Sequence, residues 1–97
     1  MNNDNLSDLE LWNKTVLDDP GAFARLYDRH WASLFKTASH YSQDQNLAEE
    51  IVHDVFVTLW QRRKFLKINN FRNYIVYLHD IKFLEKSSLV KFHQSGM

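Results

Sequence analysis

The stretch Ala48-Glu49-Glu50-Ile51-Val52-His53-Asp54-Val55-Phe56-Val57-Thr58-Leu59-Trp60-Gln61-Arg62-Arg63 decides the fold. Ile51, Val55 and Leu59 recur at i, i+4 and i+8, and Val52, Phe56 and Trp60 follow one position along. That is a wide apolar stripe at the helical period, with Glu49, Glu50, His53, Asp54, Thr58, Gln61 and Arg62 on the other side. Asn46 stands where an N-cap belongs and Glu49 follows three residues on, a capping-box variant. Glu49 and Glu50 suit the positive end of the helix dipole, and Arg62, Arg63 and Lys64 suit the negative end. The spacing predicts one helix of about five turns.

Outward from this helix the chain reads as further helices. Ser7 with Glu10 opens a first one whose buried edge is Leu9, Trp12 and Val16, with Leu6 at its margin. Asp18-Asp19-Pro20-Gly21 ends it and starts the next, with Asp19 as N-cap and Pro20 in the first helical position. Phe23, Leu26, Tyr27, His30, Trp31, Leu34, Phe35 and Ala38 then keep three-and-four spacing to about Tyr41, and Ser42-Gln43-Asp44-Gln45 turns the chain back. Beyond Lys64, a loop over 65–70 leads to a last helix capped by Asn69 or Asn70 and carrying Phe71, Tyr74, Ile75, Leu78 and Ile81, with Leu84 or Glu85 at its margin. The expectation is an all-α fold: a compact antiparallel bundle of three main helices plus a fourth, C-terminal helix, with no sheet. Residues 1–86 form that domain, and 87–97 read as a frayed or disordered tail.

The whole chain is consistent with this. Its 97 residues allow a single core, and 44% apolar with 14% aromatic residues supports packing rather than disorder. Two Gly and one Pro favour long helices over a turn-rich β fold. Cysteine is absent, so disulfides and thiolate metal sites are excluded and a reducing cytoplasm is the expected location. Met1-Asn2-Asn3-Asp4-Asn5 lacks the features of a signal peptide, and no apolar run approaches the roughly 18 residues of a membrane span. The zero net charge hides an asymmetry: 1–50 carry a balance of −5 and 51–97 one of +5. Such a molecule can offer its basic half to nucleic acid and its acidic half to another partner, although uneven charge is also ordinary solvated surface. His30, His40 and His53 lack the i, i+4 pairing of a metal site, and no nucleophile–base arrangement or phosphate-cradling glycine loop is present. No enzyme activity, metal or cofactor is expected.

Ala-Glu-Glu-Ile-Val-His-Asp-Val-Phe-Val-Thr-Leu-Trp at 48–60 resembles the region 2 signature helix of bacterial RNA polymerase sigma factors in their extracytoplasmic-function (ECF) form. The resemblance extends from Leu11-Trp12 through Ala22-Phe23-Ala24-Arg25-Leu26-Tyr27 to Asn70-Phe71-Arg72-Asn73-Tyr74, in the family's order, and fades after Val76. It implies a domain that binds RNA polymerase core and helps recognise and melt the minus-ten promoter element. The polar face of the signature helix would meet the clamp helices, a basic coiled coil of the largest catalytic subunit; by position that face is Glu50, His53, Asp54, Val57 and Gln61. Val57 stands among polar neighbours, as an apolar residue at an interface centre does, although a solitary surface valine needs no such role. His53 replaces the family's usual amide, so contact strength is expected to depend on pH at about 6–7. For promoter DNA the resemblance implies Arg63, Lys64, Lys67, Asn70, Arg72, Asn73 and Tyr77, a mixture of cations, amides and aromatic faces suited to phosphates and unstacked bases. Phe71 and Tyr74 belong equally to a core or to a stacking platform.

Two departures bear on this. Asp80-Ile81 stands where the family commonly has Arg-Asn, and Asp80 would repel phosphate. Complete ECF factors also carry a helix-turn-helix domain for the minus-thirty-five element, for which 97 residues leave no room, so a fragment, a truncated or frame-altered product or a stand-alone domain is expected. A cognate anti-sigma factor is a further partner implied by the resemblance; a membrane is not, and self-association stays open. The alternative reading is an interaction module that sequesters polymerase or an anti-sigma factor without binding DNA, or a truncated chain without function.

Overall fold

The computed structural model describes the backbone of residues 5–95 and side chains as far as residue 86. Among these residues every regular element is a helix: α1 (Asp8–Val16), α2 (Pro20–Ser42), α3 (Gln45–Gln61) and α4 (Phe71–Ser95). The all-α bundle is the fold, with proportions of its own. At 25 residues α4 is the longest helix and at 9 residues α1 is the shortest, so α2, α3 and α4 are the three main rods. The expected tail at 87–97 falls where no side chain is described, and residues 96–97, like 1–4, lie outside the described residues.

Local chemistry sets the helix starts. Ser7 and Glu10 cap α1 reciprocally: the Ser7 hydroxyl accepts from the Glu10 amide at 3.0 Å and Glu10 Oε1 accepts from the Ser7 amide at 2.8 Å. Asp19 caps α2 by accepting from the Ala22 amide at 3.1 Å. The cap of α3 is Asp44 rather than Asn46; its carboxylate accepts from the amides of Asn46 (3.0 Å) and Leu47 (3.3 Å). The physical reason is the tightness of the turn. Gln43 adopts φ 56, and its amide donates to the Ser39 carbonyl at 2.8 Å, so α2 closes abruptly and α3 begins sooner than the Asn46 cap allows. Asn70, not Asn69, caps α4, its side chain accepting from the Asn73 amide at 3.0 Å.

Ring contacts fix the directions of the rods. The beginning of α2 meets the end of α3 through Phe23–Trp60 (5.2 Å) and Tyr27–Phe56 (4.8 Å), which makes the pair antiparallel. His30 meets Phe71 and Tyr41 meets Phe83, so α4 runs alongside α2 in the same direction. α1 folds back on α2, where Asp8 lies beside Arg29 and His30, and Trp12 packs on Phe71.

α3 is the centre of the core: Ala48, Ile51, Val52, Val55 and Leu59 have no exposed surface, and Phe56 is nearly enclosed. Leu11 and Trp12 of α1, Leu26 and Leu34 of α2, and Phe71, Ile75 and Leu78 of α4 close around it. Leu9, expected on the buried edge of α1, is exposed. Seating Trp12 against Phe71 rolls the helix so that Leu11, Trp12 and Thr15 point inward instead. Leu84 is likewise exposed, while Phe83 beside it packs on the core.

Candidate functional site

The inward pull of the α3 stripe leaves the opposite side of that helix facing out. Glu50, His53 and Gln61 are exposed, and Asp54 and Val57 are half-buried, so the five polymerase candidates share one open face. Val57 is not isolated there. With Phe56 and Trp60 it lines an apolar hollow between α2 and α3, closed on the other side by Pro20, Phe23 and Tyr27 and edged by His53 and Gln61. A second, more polar hollow adjoins it, lined by Tyr27, Trp31, Asn46, Glu49, Glu50 and His53. Tyr27 and His53 belong to both, so apolar and acidic surface form one continuous concavity.

The α2 side of this concavity is what the sequence reading missed. Phe23, Tyr27 and Trp31 repeat at i, i+4 and i+8, next to the deeply buried Leu26, His30 and Leu34. The apolar arc of α2 is therefore wider than one helix contact covers, and its outer rank is partly left over. That width is legible in the sequence once two buried ranks are distinguished.

The acidic side chains are already engaged from within the chain. Lys86 Nζ lies 2.8 Å from Asp54 Oδ2 and 3.9 Å from Glu50 Oε2. His53 Nδ1 stands 4.0 Å from Asp54 Oδ1.

The seven nucleic-acid candidates divide into two groups. Arg63 and Lys64 are tied to the α1–α2 turn. Both reach Asp18 Oδ1 at 2.9 Å, Lys64 Nζ also donates to the Val16 carbonyl at 2.6 Å, and the Arg63 guanidinium lies 3.8 Å over the Trp60 ring. The hydrogen bonds from Lys64 and then Arg63 hold the Asp18 carboxyl below the ordinary carboxylate range. Lys67, Asn70, Arg72, Asn73 and Tyr77 are exposed along the loop and the first turns of α4, although the Asn70 side chain is spent on its cap. Phe71 is core, at 2% exposure, and provides no stacking platform. Tyr74 is half-buried and meets Tyr77 at 5.7 Å. Burial first, then the neighbouring Tyr77, raises the Tyr74 phenol against an opposing pull from Arg62, which places Arg62 within electrostatic reach of these rings. Phe65 is the most exposed of these aromatics, at 81%. Asp80 is exposed and its carboxylate lies 3.0 Å from Nδ1 of buried His79.

His30 is a structural histidine, buried with Nε2 2.9 Å from Asp8 Oδ2. Among the described residues no three His, Cys, Asp or Glu side chains converge to hold a metal ion, and no helix is long and apolar enough to cross a membrane.

The described residues thus form an all-helical domain with an acidic and apolar face on its central helix and a basic and aromatic loop at that helix's end. The sigma-70 region 2 family model matches residues 26–78, more than half of the chain, and the chain belongs to that family. The match takes in all twelve polymerase and nucleic-acid candidates and leaves out α1, the start of α2 before Leu26, and α4 beyond Leu78. A search of curated proteins and a search of solved structures returned no match. At the level of the family, region 2 is a non-enzymatic domain that binds RNA polymerase and acts in promoter melting.

Proposed function

We propose that this chain acts as an ECF-type sigma region 2 domain that docks on RNA polymerase core through the outer face of α3 and helps recognise and melt the minus-ten element. The observation that carries this reading is that Val57 and the carboxylates are not consumed by the core: Val57 lines an open apolar hollow, Glu49 and Glu50 line the polar hollow that adjoins it, and half-buried Asp54 stands on the same face of α3, which is the composition of an interface centre with a charged border. Acidic side chains set around apolar surface suit a basic helical partner such as the polymerase clamp helices. Retention of wild type and Asp54→Arg on core polymerase tests it; the charge reversal should abolish retention, and equal retention would remove the docking reading.

A second reading has its own support. Arg63 and Lys64 are partly neutralised by Asp18, and exposed Asp80 lies on α4 where phosphate would approach. Both favour an interaction module, sequestering polymerase or an anti-sigma factor, with weak DNA contact. Binding of the core complex to fork-junction DNA, followed against salt, separates the two: a steep loss of affinity supports melting, and a flat response supports the module.

A further inference from the structure

The family match ends at Leu78, but α4 continues along the bundle. Phe83 anchors the continuation: its ring stacks with His79 at an interplanar angle of 8° and meets Tyr41 of α2 at 5.8 Å. The next turn of α4 thereby carries Lys86 over α3, where its ammonium faces Asp54 at 2.8 Å and Glu50 at 3.9 Å. These two carboxylates are i, i+4 neighbours that repel each other unless a cation stands between them. The hydrogen bond to Asp54 raises the Lys86 amine above its ordinary value against the effect of burial, so the cation stays charged.

A helix-borne cation set on the carboxylates of α3 is also the chemistry by which a basic helical partner would engage that face. We propose that α4 beyond Leu78 is an internal competitor for the polymerase-docking face, with Lys86 occupying Asp54 and Glu50 until the partner's cations displace it. This rests on the polymerase reading above. The pairing lowers affinity for core and makes docking conditional on release of Lys86.

Affinity of the full chain for core polymerase, measured for wild type, Lys86→Ala and Lys82→Ala, tests the proposal. Lys82 is the control: it removes the same charge from the same helix, but its ion pair is with Glu85 of α4 and not with Asp54 or Glu50. Lys86→Ala should bind core roughly two- to five-fold more tightly than wild type, an exposed ion pair's worth, with the gain shrinking at high salt, while Lys82→Ala does not. Acetylation of the Lys86 amine, read by mass spectrometry, should rise when wild type is bound to core. Equal or weaker binding by Lys86→Ala, with Lys86 reactivity unchanged on binding, overturns the competitor. No retention of any variant instead overturns the polymerase reading, and the competitor with it.

Discussion

Asp8 ties the N-terminal helix to α2 through Arg29 and His30. Burial alone would raise its carboxyl, but hydrogen bonds from His30 and Arg29 outweigh that and hold it below the ordinary value. A carboxyl lowered in the folded state contributes stability above its unfolded value, and that contribution is lost as pH falls through the lowered folded value. Thermal melts should therefore weaken below about pH 4 in the wild type. Asp8→Asn should lose about 1 kcal/mol at neutral pH and show a flatter acid limb. An acid limb unchanged by the substitution would locate the pH dependence elsewhere. Gln43 makes the opposite kind of prediction. Its φ of 56 is a left-handed conformation that disfavours a side chain, and glycine relieves the strain at some cost in unfolded-chain entropy. Gln43→Gly should raise stability by roughly 0.5 kcal/mol, read as a shift of the urea midpoint at constant slope.

Among the elements, α3 carries both the core and the face proposed for docking, which makes mutations on it separable by face. Leu59→Ala should cost about 2–5 kcal/mol, because the side chain is fully enclosed and the cavity cannot collapse between three rods. Asp44→Ala should cost about 1 kcal/mol through the lost cap, without touching the outer face. Both are checked by chemical denaturation alongside polymerase retention; a loss of retention in Asp44→Ala at temperatures where it stays folded would mean the cap shapes the face as well. The helix, its period and its inward and outward sides were legible from Ile51, Val55 and Leu59 against Glu50, Asp54 and Gln61. The cap was misplaced at Asn46 because Asn and Asp cap equally well, and only the abrupt end of α2 at Gln43 selects Asp44.

At the scale of the whole molecule, the acidic and basic halves read from the sequence are cross-linked rather than simply opposed. Asp18, from the acidic half, draws in Arg63 and Lys64, and Lys86, from the basic half, reaches Glu50 at 3.9 Å while pairing with Asp54 of its own half. Asp18→Asn keeps a residue that tolerates φ 71 while removing the carboxylate charge that Arg63 and Lys64 share. In complex with core it should bind fork-junction DNA more tightly, with the salt slope steeper by about one for each phosphate newly contacted. An unchanged slope would show that Arg63 and Lys64 do not face DNA.

The sequence by itself determined the helices and the side of α3 that faces the core, because periodicity is a local property that tertiary packing here reinforces; the roll of α1, which exposes Leu9 and turns Leu11 and Thr15 inward, was decided by the seating of Trp12 on Phe71. It also carried the family, since the signature helix and its flanking segments keep their order along the chain. Only the tertiary structure decided which charges are free. Asp18 with Lys64, and Asp54 with Lys86, are far apart in sequence, and nothing in their local patterns distinguishes a solvated cation from one held by a carboxylate on another helix. The concavity beside Val57 was equally out of reach, because it is made of the outer rank of α2 brought against α3 by the Gln43 turn.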